Sequence, residues 1–386
     1  MKTQKVIHSG YVPREHQAKL HQQLKRFNVI VAHRRFGKSV FSINEMIDQG
    51  LRCKHKNPQY AFFSPTYSQA KKIAWEYLKQ FTEVIPNRST NEAELKMTIK
   101  RPWRDDKVTF YLLGAERYDT HRGIYLDGAI LDEFASMDPS AWSKVIRPTL
   151  SDRMGWAIFI STPAGQNHFY EIYKKAQGLD DWFTCILTAE QTGILDASEL
   201  RAARQTMSED EYLQEFECDF TAAMTGSYYG EQIKRAQKEE RITSVPYQPE
   251  LDVQTAWDLG MNDMTCIWFF QQSGREFHFI DYYENHDQGL EHYVQHLYEK
   301  DYVYSKHWLP HDVMARELGT GKTRIETIRS LGLKNVKVAP KQSLEDGINA
   351  TRIALARCYF DEVKCEKGLA CLQNYSRKWD NKEKVF

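Results

Sequence analysis

The chain has 386 residues, which is enough for two domains or one large one. Its 52 Lys and Arg residues balance 52 Asp and Glu residues, so the net charge neither indicates nor excludes a nucleic-acid partner. No apolar run approaches the roughly 20 residues that span a bilayer, and the N-terminus lacks the apolar core of a signal peptide, so we expect no membrane partner. Seven scattered cysteines without a Cys-x-x-Cys pair favour reduced thiols in a cytosolic compartment and argue against a structural zinc site.

From residue 27 to about residue 190, short apolar runs alternate with helical patterns. This alternation predicts an α/β domain with a mostly parallel sheet that is covered on both faces. Residues 196–219 predict two further helices, the second capped by Ser208 with Glu211 three residues later. The predicted strands of the sheet are FNVIVA, YAFFSP, KVTFYLL, YLDGAILDE, WAIFIST and FTCILT.

Turn residues without apolar periodicity place a boundary near residues 240–250, and a different pattern follows. Three closely spaced strands, the last two joined by a QQSGRE hairpin, precede a helix over about 288–299. A strand YSKHWLPHD, another helix, a short strand near 335–338 and helices to the end complete a mixed-sheet α/β domain. The predicted division of the chain is 1–195 for the first domain, 196–245 for a helical linker and 246–386 for the second domain.

Two segments end in Gly-Lys-Ser/Thr: RRFGKS at 34–39 and GTGKT at 319–323. A phosphate-binding loop follows a strand and opens a helix, so that its backbone N–H groups surround the phosphates and its Lys reaches the terminal ones. The first segment has this context, although Ala32 replaces the first glycine of the motif. The second has Arg316 at that position and begins several residues after its strand, and its possible acidic partner ARCYFDE is interrupted by Arg357. We predict that the second segment is a turn and a helix start.

The strand YLDGAILDE ends with Asp132 and Glu133, about ninety residues after the first loop. An acid pair alone is typical of a solvated loop, but the combination with the loop indicates a nucleotide site. There Ser39 and Asp132 order Mg²⁺, and Glu133 polarises the water that attacks ATP. The residues predicted to bind ATP in the loop are His33, Arg34, Arg35, Phe36, Gly37, Lys38 and Ser39.

In their order along the chain, these motifs resemble the large terminase subunit of tailed bacteriophages, an ATPase–nuclease that packages DNA. The resemblance runs from about residue 13 to the end. PREHQ is similar to the adenine-recognition motif of the family, which implies a base contact by Gln17. HRRFGKS is similar to its divergent phosphate loop, in which Arg34 is the characteristic early arginine. SPTYSQAK, at 64–71, resembles the helicase-like segment after the second strand.

Two further segments extend the resemblance. GAERYDTHRG resembles the segment that contributes an arginine finger, with Arg122 as the matching residue and Arg117 as a second candidate. Such a guanidinium, from the same subunit or a neighbour, stabilises the charge that spreads over the γ-phosphate. FISTPAG resembles the coupling motif, which implies that Ser161 and Thr162 sense the γ-phosphate.

The second domain carries acids on or beside its predicted strands. Asp258 is expected in the middle of a central, buried strand, Asp263 at the turn that follows, and Asp312 at the end of a later strand. Converging carboxylates of this kind can hold two Mg²⁺ or Mn²⁺ ions about 3.5–4 Å apart. The resemblance implies a ribonuclease-H-like nuclease fold in which Asp258 and Asp312 are the first two metal carboxylates; Asp281 is a further candidate.

The family completes this metal site with another aspartate, in a segment beyond the point where this sequence stops. We therefore expect a sequence that is truncated at its C-terminus or, alternatively, an incomplete nuclease. The other acids available for the third position are Asp361, Glu362 and Asp380.

The resemblance implies a viral motor that hydrolyses ATP to move double-stranded DNA into a procapsid and cleaves the concatemer. Its expected partners are DNA, a portal protein, a small terminase subunit and further copies of itself in a ring, in the host cytoplasm during virion assembly. Alternatives are a cellular helicase or repair ATPase–nuclease, and a non-enzymatic nucleic-acid scaffold. A helicase would need a second recombinase-like ATPase domain. The intact Lys38, Ser39, Asp132 and Glu133 count against a scaffold.

Overall fold

Eight strands form the sheet of the first of two compact units, which comprise residues 1–222 and 223–386 of the computed structural model. In spatial order they are β3-β4-β5-β2-β6-β7-β1-β8, and the six strands from β5 to β8 are parallel. The residues that the structure describes are 8–222, 227–260, 264–316 and 321–376. The strands are β1 (Phe27–Ala32), β2 (Gln59–Ser64), β3 (Arg88–Asn91), β4 (Lys96–Lys100), β5 (Lys107–Gly114), β6 (Gly128–Asp132), β7 (Trp156–Ser161) and β8 (Trp182–Leu187).

All six predicted strands of this unit are confirmed, and all six belong to the parallel part of the sheet. Their side chains alternate between two cores, one on each face: Ile30 and Ala32 of β1 pack in one, Val29 and Val31 in the other. A strand that is buried on both faces must be apolar throughout, which is why these runs are visible in the sequence. The antiparallel β3–β4 hairpin at the edge was not predicted, because all four residues of β3 are exposed and polar.

Helices cover both faces of this sheet. α3 continues through a π-helical turn at Ala70–Ala74 into α4, and a second π-helical turn, Ala141–Ile146, leads into α5. Ser208 caps α9 as predicted, since its hydroxyl accepts a hydrogen bond from the Glu211 backbone N–H at 3.2 Å. The helices are α1 (Glu15–Gln23), α2 (Lys38–Arg52), α3 (Tyr67–Gln69), α4 (Trp75–Thr82), α5 (Arg147–Thr149), α6 (His168–Ala176), α7 (Ala189–Thr192), α8 (Ala197–Thr206) and α9 (Glu209–Phe216).

The second unit contains a seven-stranded mixed sheet in the order β14-β13-β10-β11-β12-β15-β9. β10, β11 and β12 form an antiparallel meander, with the predicted hairpin at Gly274, where φ is +60°. β13 continues the sheet parallel to β10, and β14 lies parallel to β13. The strands are β9 (Ile242–Thr243), β10 (Val253–Asp258), β11 (Thr265–Ser273), β12 (Glu276–Asn285), β13 (Tyr304–Leu309), β14 (Val336–Val338) and β15 (Cys358–Asp361).

The prediction that only helices follow β14 is wrong. β15 lies between two helices and pairs in parallel with both β12 and β9. It has only four residues, and Arg357 directly before it breaks the apolar run that would have marked a strand.

Five helices belong to this unit, counted over the part of the chain that the structure describes. The helix predicted over about 288–299 is confirmed as α11, and Thr323 of the second Gly-Lys-Thr segment caps α12, as expected for a helix start. None of the described helices in either unit has the length and apolar character of a membrane span. The helices are α10 (Gly230–Lys238), α11 (Leu290–Tyr298), α12 (Arg324–Ser330), α13 (Leu344–Leu355) and α14 (Glu366–Asn374).

Candidate nucleotide site and candidate nuclease site

The loop at 33–37 joins β1 to α2, as a phosphate-binding loop requires. Gly37 precedes the helix with φ +92°, a conformation that favours glycine. A Cβ atom at this position would also lie 2.8 Å from Nε2 of Gln17. Both observations explain why this glycine of the motif is present although the first one is replaced by Ala32.

Three neighbouring parallel strands bring the predicted catalytic groups together. β6, β7 and β1 are adjacent, and their carboxyl ends carry Asp132, Ser161 and the loop, respectively. The hydroxyl of Ser39 donates a hydrogen bond to Oδ2 of Asp132 at 2.8 Å. Nζ of Lys38 lies 3.4 Å from Oε1 of Glu133, so the first two residues of α2 contact both acids.

The second oxygen of Glu133 is also engaged. The Ser161 hydroxyl donates to Oε2 of Glu133 at 3.1 Å, which links the end of β7 to the acid pair. Glu133 has a left-handed backbone with φ +54°, which costs about 1–3 kcal/mol in a residue with a side chain. Strain of this kind persists where the surroundings hold the residue in place, and it is common at functional sites.

Asp132 is buried beside Glu133. Burial, and after it the negative charge of Glu133, raises the pKa of Asp132 above its ordinary value. Its second oxygen, Oδ1, is buried and accepts no hydrogen bond of normal geometry from the described residues. A buried carboxylate oxygen without a donor, next to a serine hydroxyl, fits the oxygen ligands that Mg²⁺ prefers. Ser39 and Asp132 are therefore a suitable pair to hold the ion.

The raised pKa of Asp132 predicts that Asp132→Asn stabilises the nucleotide-free protein. Because the folded state raises the pKa of this acid, ionisation costs stability, and the cost grows as the pH rises from the unfolded pKa through the folded one. We expect the variant to unfold at a temperature about 2–6 °C higher than the wild type at pH 8, with a smaller difference at pH 5. Thermal unfolding at both pH values checks this.

The control for this prediction is Asp138→Asn, which changes an exposed acid on the neighbouring loop. It is expected to leave the unfolding temperature unchanged at both pH values. An Asp132→Asn difference that is independent of pH, or a loss of stability at pH 8, would contradict the raised pKa of Asp132 in the folded protein.

Gln17, the predicted adenine contact, is buried under the loop. Its Nε2 lies 3.4 Å from the Phe36 carbonyl and 3.3 Å from the Gly37 carbonyl, to which it donates. Arg14, which the sequence analysis did not single out, donates from Nη1 to the carbonyls of Arg35 and Phe36. Both side chains thus hold the loop through its backbone carbonyls. The contact of Gln17 with the adenine base stays a prediction.

Two of the loop residues predicted to bind ATP are buried and support the loop. Nε2 of His33 lies 2.8 Å from the Thr192 hydroxyl of α7, and its Nδ1 lies 2.6 Å from the Arg34 carbonyl. Burial lowers the pKa of His33, which favours the neutral ring. Phe36 is fully buried in the core beneath the loop. Their backbone can still face a phosphate, but their side chains stabilise the loop.

The predicted arginines lie on the surface of the unit. The Arg34 side chain is exposed, 3.7 Å from Glu215 of α9, and Arg35 is exposed with φ +70°. Arg122 follows a 3₁₀-helical segment, Ala115–His121, and is bound to the exposed Asp119 at 2.7 Å.

Thr162, the second predicted coupling residue, follows β7 and is half-buried. The loop, Lys38, Ser39, both acids and Ser161 thus meet at one place. The roles of the arginines and of Thr162 stay predictions.

In the second unit, the topology brings Asp258 and Asp312 to one edge of the sheet. β10 and β13 are adjacent and parallel, with Ala256 opposite Trp308. Asp258 is the last residue of β10, and Asp312 follows the end of β13 in a short 3₁₀ turn. Both side chains are exposed at the carboxyl ends of neighbouring strands.

The expectation that Asp258 lies mid-strand and buried is wrong. β10 is central, but its side chains alternate, so Val253, Thr255 and Trp257 face the core while Asp258 does not. A strand that is buried on one face only leaves its alternate residues accessible. Asp263 lies outside the described residues, as does Asp380.

Two other acids considered in the sequence analysis are engaged elsewhere. Asp281 is buried in the middle of β12, where its Oδ2 accepts from Nζ of Lys300 at 2.5 Å. Asp361 of β15 accepts hydrogen bonds from three backbone N–H groups, and two strands, β11 and β12, lie between β15 and β10 in the sheet. The structure therefore brings neither acid to the pair at β10 and β13.

Glu284 is an acid near this pair that sequence reasoning missed. Cys266 of β11 lies directly opposite Asp258 of β10 on one side and Glu284 of β12 on the other. The three side chains therefore share one face of the sheet. Burial first, and then the negative charge of Asp258, raises the pKa of the Cys266 thiol to about 11, with a smaller contribution from Glu284. Only the strand register, which the sequence did not provide, reveals this arrangement.

A phosphate loop whose Lys and Ser contact two acids at the end of a parallel strand defines the first unit as a P-loop ATPase-type domain. The second unit is a mixed-sheet α/β domain, and its ribonuclease-H-like character stays a prediction. Residues 44–235 match the family model described as terminase large subunit, T4likevirus-type, N-terminal. These residues, about half of the chain, belong to the terminase large-subunit family.

Individual relatives agree with this assignment. The terminase large subunit of Thermus phage G20c is 34% identical over 182 residues, which are 42% of this chain and 36% of that protein. That of Escherichia phage T5 is 29% identical over 206 residues, or 51% of this chain and 44% of that protein. The match thus spans less than half the length of these relatives. The crystal structure of the HK97 bacteriophage large terminase, 12% identical, shares the fold with a TM-score of 0.54 over 92% of this chain and 86% of that chain.

Proposed function

We propose that this chain is the ATP-hydrolysing subunit of a motor that packages double-stranded viral DNA into a procapsid. The observation that carries the proposal is the contact of Lys38 and Ser39 with Glu133 and Asp132 in a family of packaging proteins. Its partners are DNA, a portal protein, a small terminase subunit and further copies of the chain in a ring. It acts in the host cytoplasm during virion assembly.

In the proposed reaction, the loop N–H groups and Lys38 bind the β- and γ-phosphates of ATP. Lys38 then exchanges Glu133 for phosphate, which leaves the Glu133 carboxylate available to orient and polarise a water molecule. Ser161 fixes the direction of that carboxylate through its hydrogen bond. Ser39 and Asp132 would hold Mg²⁺, which when bound would supply positive charge to the phosphate oxygens.

Coupling and charge stabilisation extend this mechanism. Because Ser161 bonds directly to Glu133, a change in the position of Glu133 after loss of the γ-phosphate reaches β7 and Thr162. Arg34 and Arg122 are exposed guanidinium groups, suited to phosphates of the same or a neighbouring subunit. We assign Arg122 to the neighbour's site, since it lies on an accessible segment and its exposed partner Asp119 can release it at small cost.

We propose metal-dependent DNA cleavage as the activity of the second unit. Asp258 and Asp312, at the ends of adjacent parallel strands, would hold Mg²⁺ or Mn²⁺, with Glu284 as a third acid on the same face as Asp258. The cation supplies an activated water and stabilises the leaving oxygen when bound. A helicase is less well supported, because this unit has a mixed sheet where a helicase would need a second parallel ATPase sheet.

ATP hydrolysis by the purified chain, with and without double-stranded DNA, tests the proposed motor. We expect Mg²⁺-dependent hydrolysis that DNA stimulates, and a rate about 100- to 1,000-fold lower in Lys38→Ala, which loses the charge that contacts the phosphates. Lys72→Ala, an exposed lysine on the same unit, serves as the control and should retain the wild-type rate. Hydrolysis that persists in Lys38→Ala would overturn the site, and separation of DNA strands would favour the helicase.

A further inference from the structure

Cys53, His55 and Asp127 form a cluster at the end of the first sheet that is remote from the nucleotide site. One ligand atom from each residue, a sulfur, a ring nitrogen and a carboxylate oxygen, lies within 4.8 Å of the other two. Asp127 directly precedes β6, whereas Asp132 ends it, so about 16 Å of strand separates this cluster from the acid pair. The proposed ATPase does not use any of these three residues.

The backbone that carries Cys53 and His55 is held rigidly. The buried Arg101 donates from its guanidinium to the carbonyls of both residues, at 2.5 Å and 2.8 Å, and is itself paired with Asp106. The carbonyls of the neighbouring residues also accept hydrogen bonds from side chains: that of Lys54 from Arg104, that of Lys56 from Arg153 and that of Asn57 from Tyr125. Five consecutive carbonyls thus accept hydrogen bonds from side chains, which fixes the backbone that carries the thiol and the imidazole.

Hydrogen bonds also hold the Asp127 carboxylate in place. Asp127 is 3% exposed, and its Oδ2 accepts from the Gln59 backbone N–H at 2.9 Å, while Oδ1 lies 2.5 Å from Nδ1 of His55. Outer hydrogen bonds of this type orient ligands in metal sites. Nη1 of Arg153 lies 3.8 Å from Oδ1 of Asp127, and the Arg153 guanidinium also stacks on the Tyr125 ring at 4.2 Å. This stacking can hold Arg153 in place when Asp127 binds a metal ion.

We propose that Cys53, His55 and Asp127 bind a zinc ion. Thiolate, imidazole and carboxylate are zinc ligands, whereas Mg²⁺ and Ca²⁺ prefer oxygen alone. A thiolate and a carboxylate balance the charge of Zn²⁺, and the half-exposed His55 leaves the fourth position to water. In a tetrahedral site, ligand atoms are about 3.3–3.7 Å apart. Small side-chain rotations would bring the more distant atoms of the cluster to this spacing and move Nδ1 of His55 away from Oδ1 of Asp127.

The ion would connect the chain after the end of α2 to the start of β6. Its ligands His55 and Asp127 are 72 residues apart in the sequence. Its role would be structural, because an ion that binds the folded but not the unfolded chain raises the free energy of unfolding, and more so at higher affinity and concentration. The absence of a Cys-x-x-Cys pair had argued against a structural zinc. This site has a different form, a Cys-x-His pair completed by a distant aspartate that only the fold brings near.

Metal binding to the chelator-treated full chain tests the proposal, with Co²⁺ as a spectroscopic probe and Zn²⁺ in competition with a fluorescent chelator. We expect a thiolate-to-metal charge-transfer band that saturates at one thiolate-bound Co²⁺ per chain and that Zn²⁺ abolishes. Cys53→Ser should lose the band and bind Zn²⁺ at this site at least about 100-fold more weakly. Asp127→Asn, which keeps an acceptor for Gln59, should also weaken binding. Cys185→Ser, another partly exposed thiol of the same unit, is the matched control.

The thiolate band separates this site from Mg²⁺-type sites, which have no sulfur ligand. Thermal unfolding provides a second readout: Zn²⁺ should raise the unfolding temperature of the wild type and of Cys185→Ser, but not of Cys53→Ser. A charge-transfer band that survives in Cys53→Ser, or the absence of any band in a folded wild-type chain, would overturn the proposal. ATP hydrolysis at saturating Mg²⁺ should be the same in Cys53→Ser, so that failure of the zinc site and failure of the ATPase assignment remain distinguishable.

Discussion

Glu133→Gln is expected to lower the rate of ATP hydrolysis by about 100- to 10,000-fold while ATP binding is retained. The amide keeps the shape of the side chain and can still accept the hydrogen bond of Ser161, but it cannot take a proton from water. Because the substitution also removes the carboxylate that lies 3.4 Å from Lys38, the lysine becomes available to phosphate. We therefore expect the dissociation constant of ATP to stay equal or to decrease.

This combination of effects is specific to the proposed role. Steady-state hydrolysis with Mg²⁺ and equilibrium binding of ATP, measured side by side, separate the chemical step from the binding step. Glu83→Gln, an exposed glutamate at the end of α4, should behave as the wild type in both measurements. A purely structural role for Glu133 would weaken binding and lower the unfolding temperature together, which would contradict the assignment.

The parallel part of the first sheet could be predicted from the sequence because burial on both faces demands uninterrupted apolar runs. The same reasoning indicated the candidate nucleotide site, since the loop after β1 and the acids at the end of β6 lie at the carboxyl ends of parallel strands. The β3–β4 hairpin and β15 were not predicted, because neither contains a long apolar run. All of β3 is exposed, and β15 has too few residues to show a strand pattern in the sequence.

The details of the sites depend on pairings that the sequence does not contain. The position of Asp127 beside His55, or of Glu284 on the face of Asp258, follows from strand order and register alone. The burial of Asp258 was mispredicted because a strand in the centre of a sheet can still expose one face. Likewise, His33 belongs to the motif by position, yet its ring binds Thr192 and supports the loop.

Asp258→Asn and Asp312→Asn are each expected to reduce metal-dependent nicking of DNA by at least about 100-fold. Each substitution removes a charged oxygen ligand from one of two adjacent strand ends, and an amide binds Mg²⁺ or Mn²⁺ poorly in its place. Conversion of supercoiled plasmid to the nicked form, measured with Mn²⁺ and with Mg²⁺, quantifies the loss. ATP hydrolysis should be unchanged in both variants, because their acids belong to the second unit.

Glu284→Gln decides which acid is the third ligand. If Glu284 completes the site, its amide variant loses nicking to the same degree as Asp258→Asn; if it only binds the hydroxyl of Tyr282, which lies 2.8 Å away, nicking is retained. Glu299→Gln and Asp301→Asn change exposed acids of the same unit and serve as controls. Nicking at the wild-type rate in Asp258→Asn would contradict a metal site at this edge of the sheet. Cleavage that depends on both strand-end carboxylates cannot persist when one of them is lost.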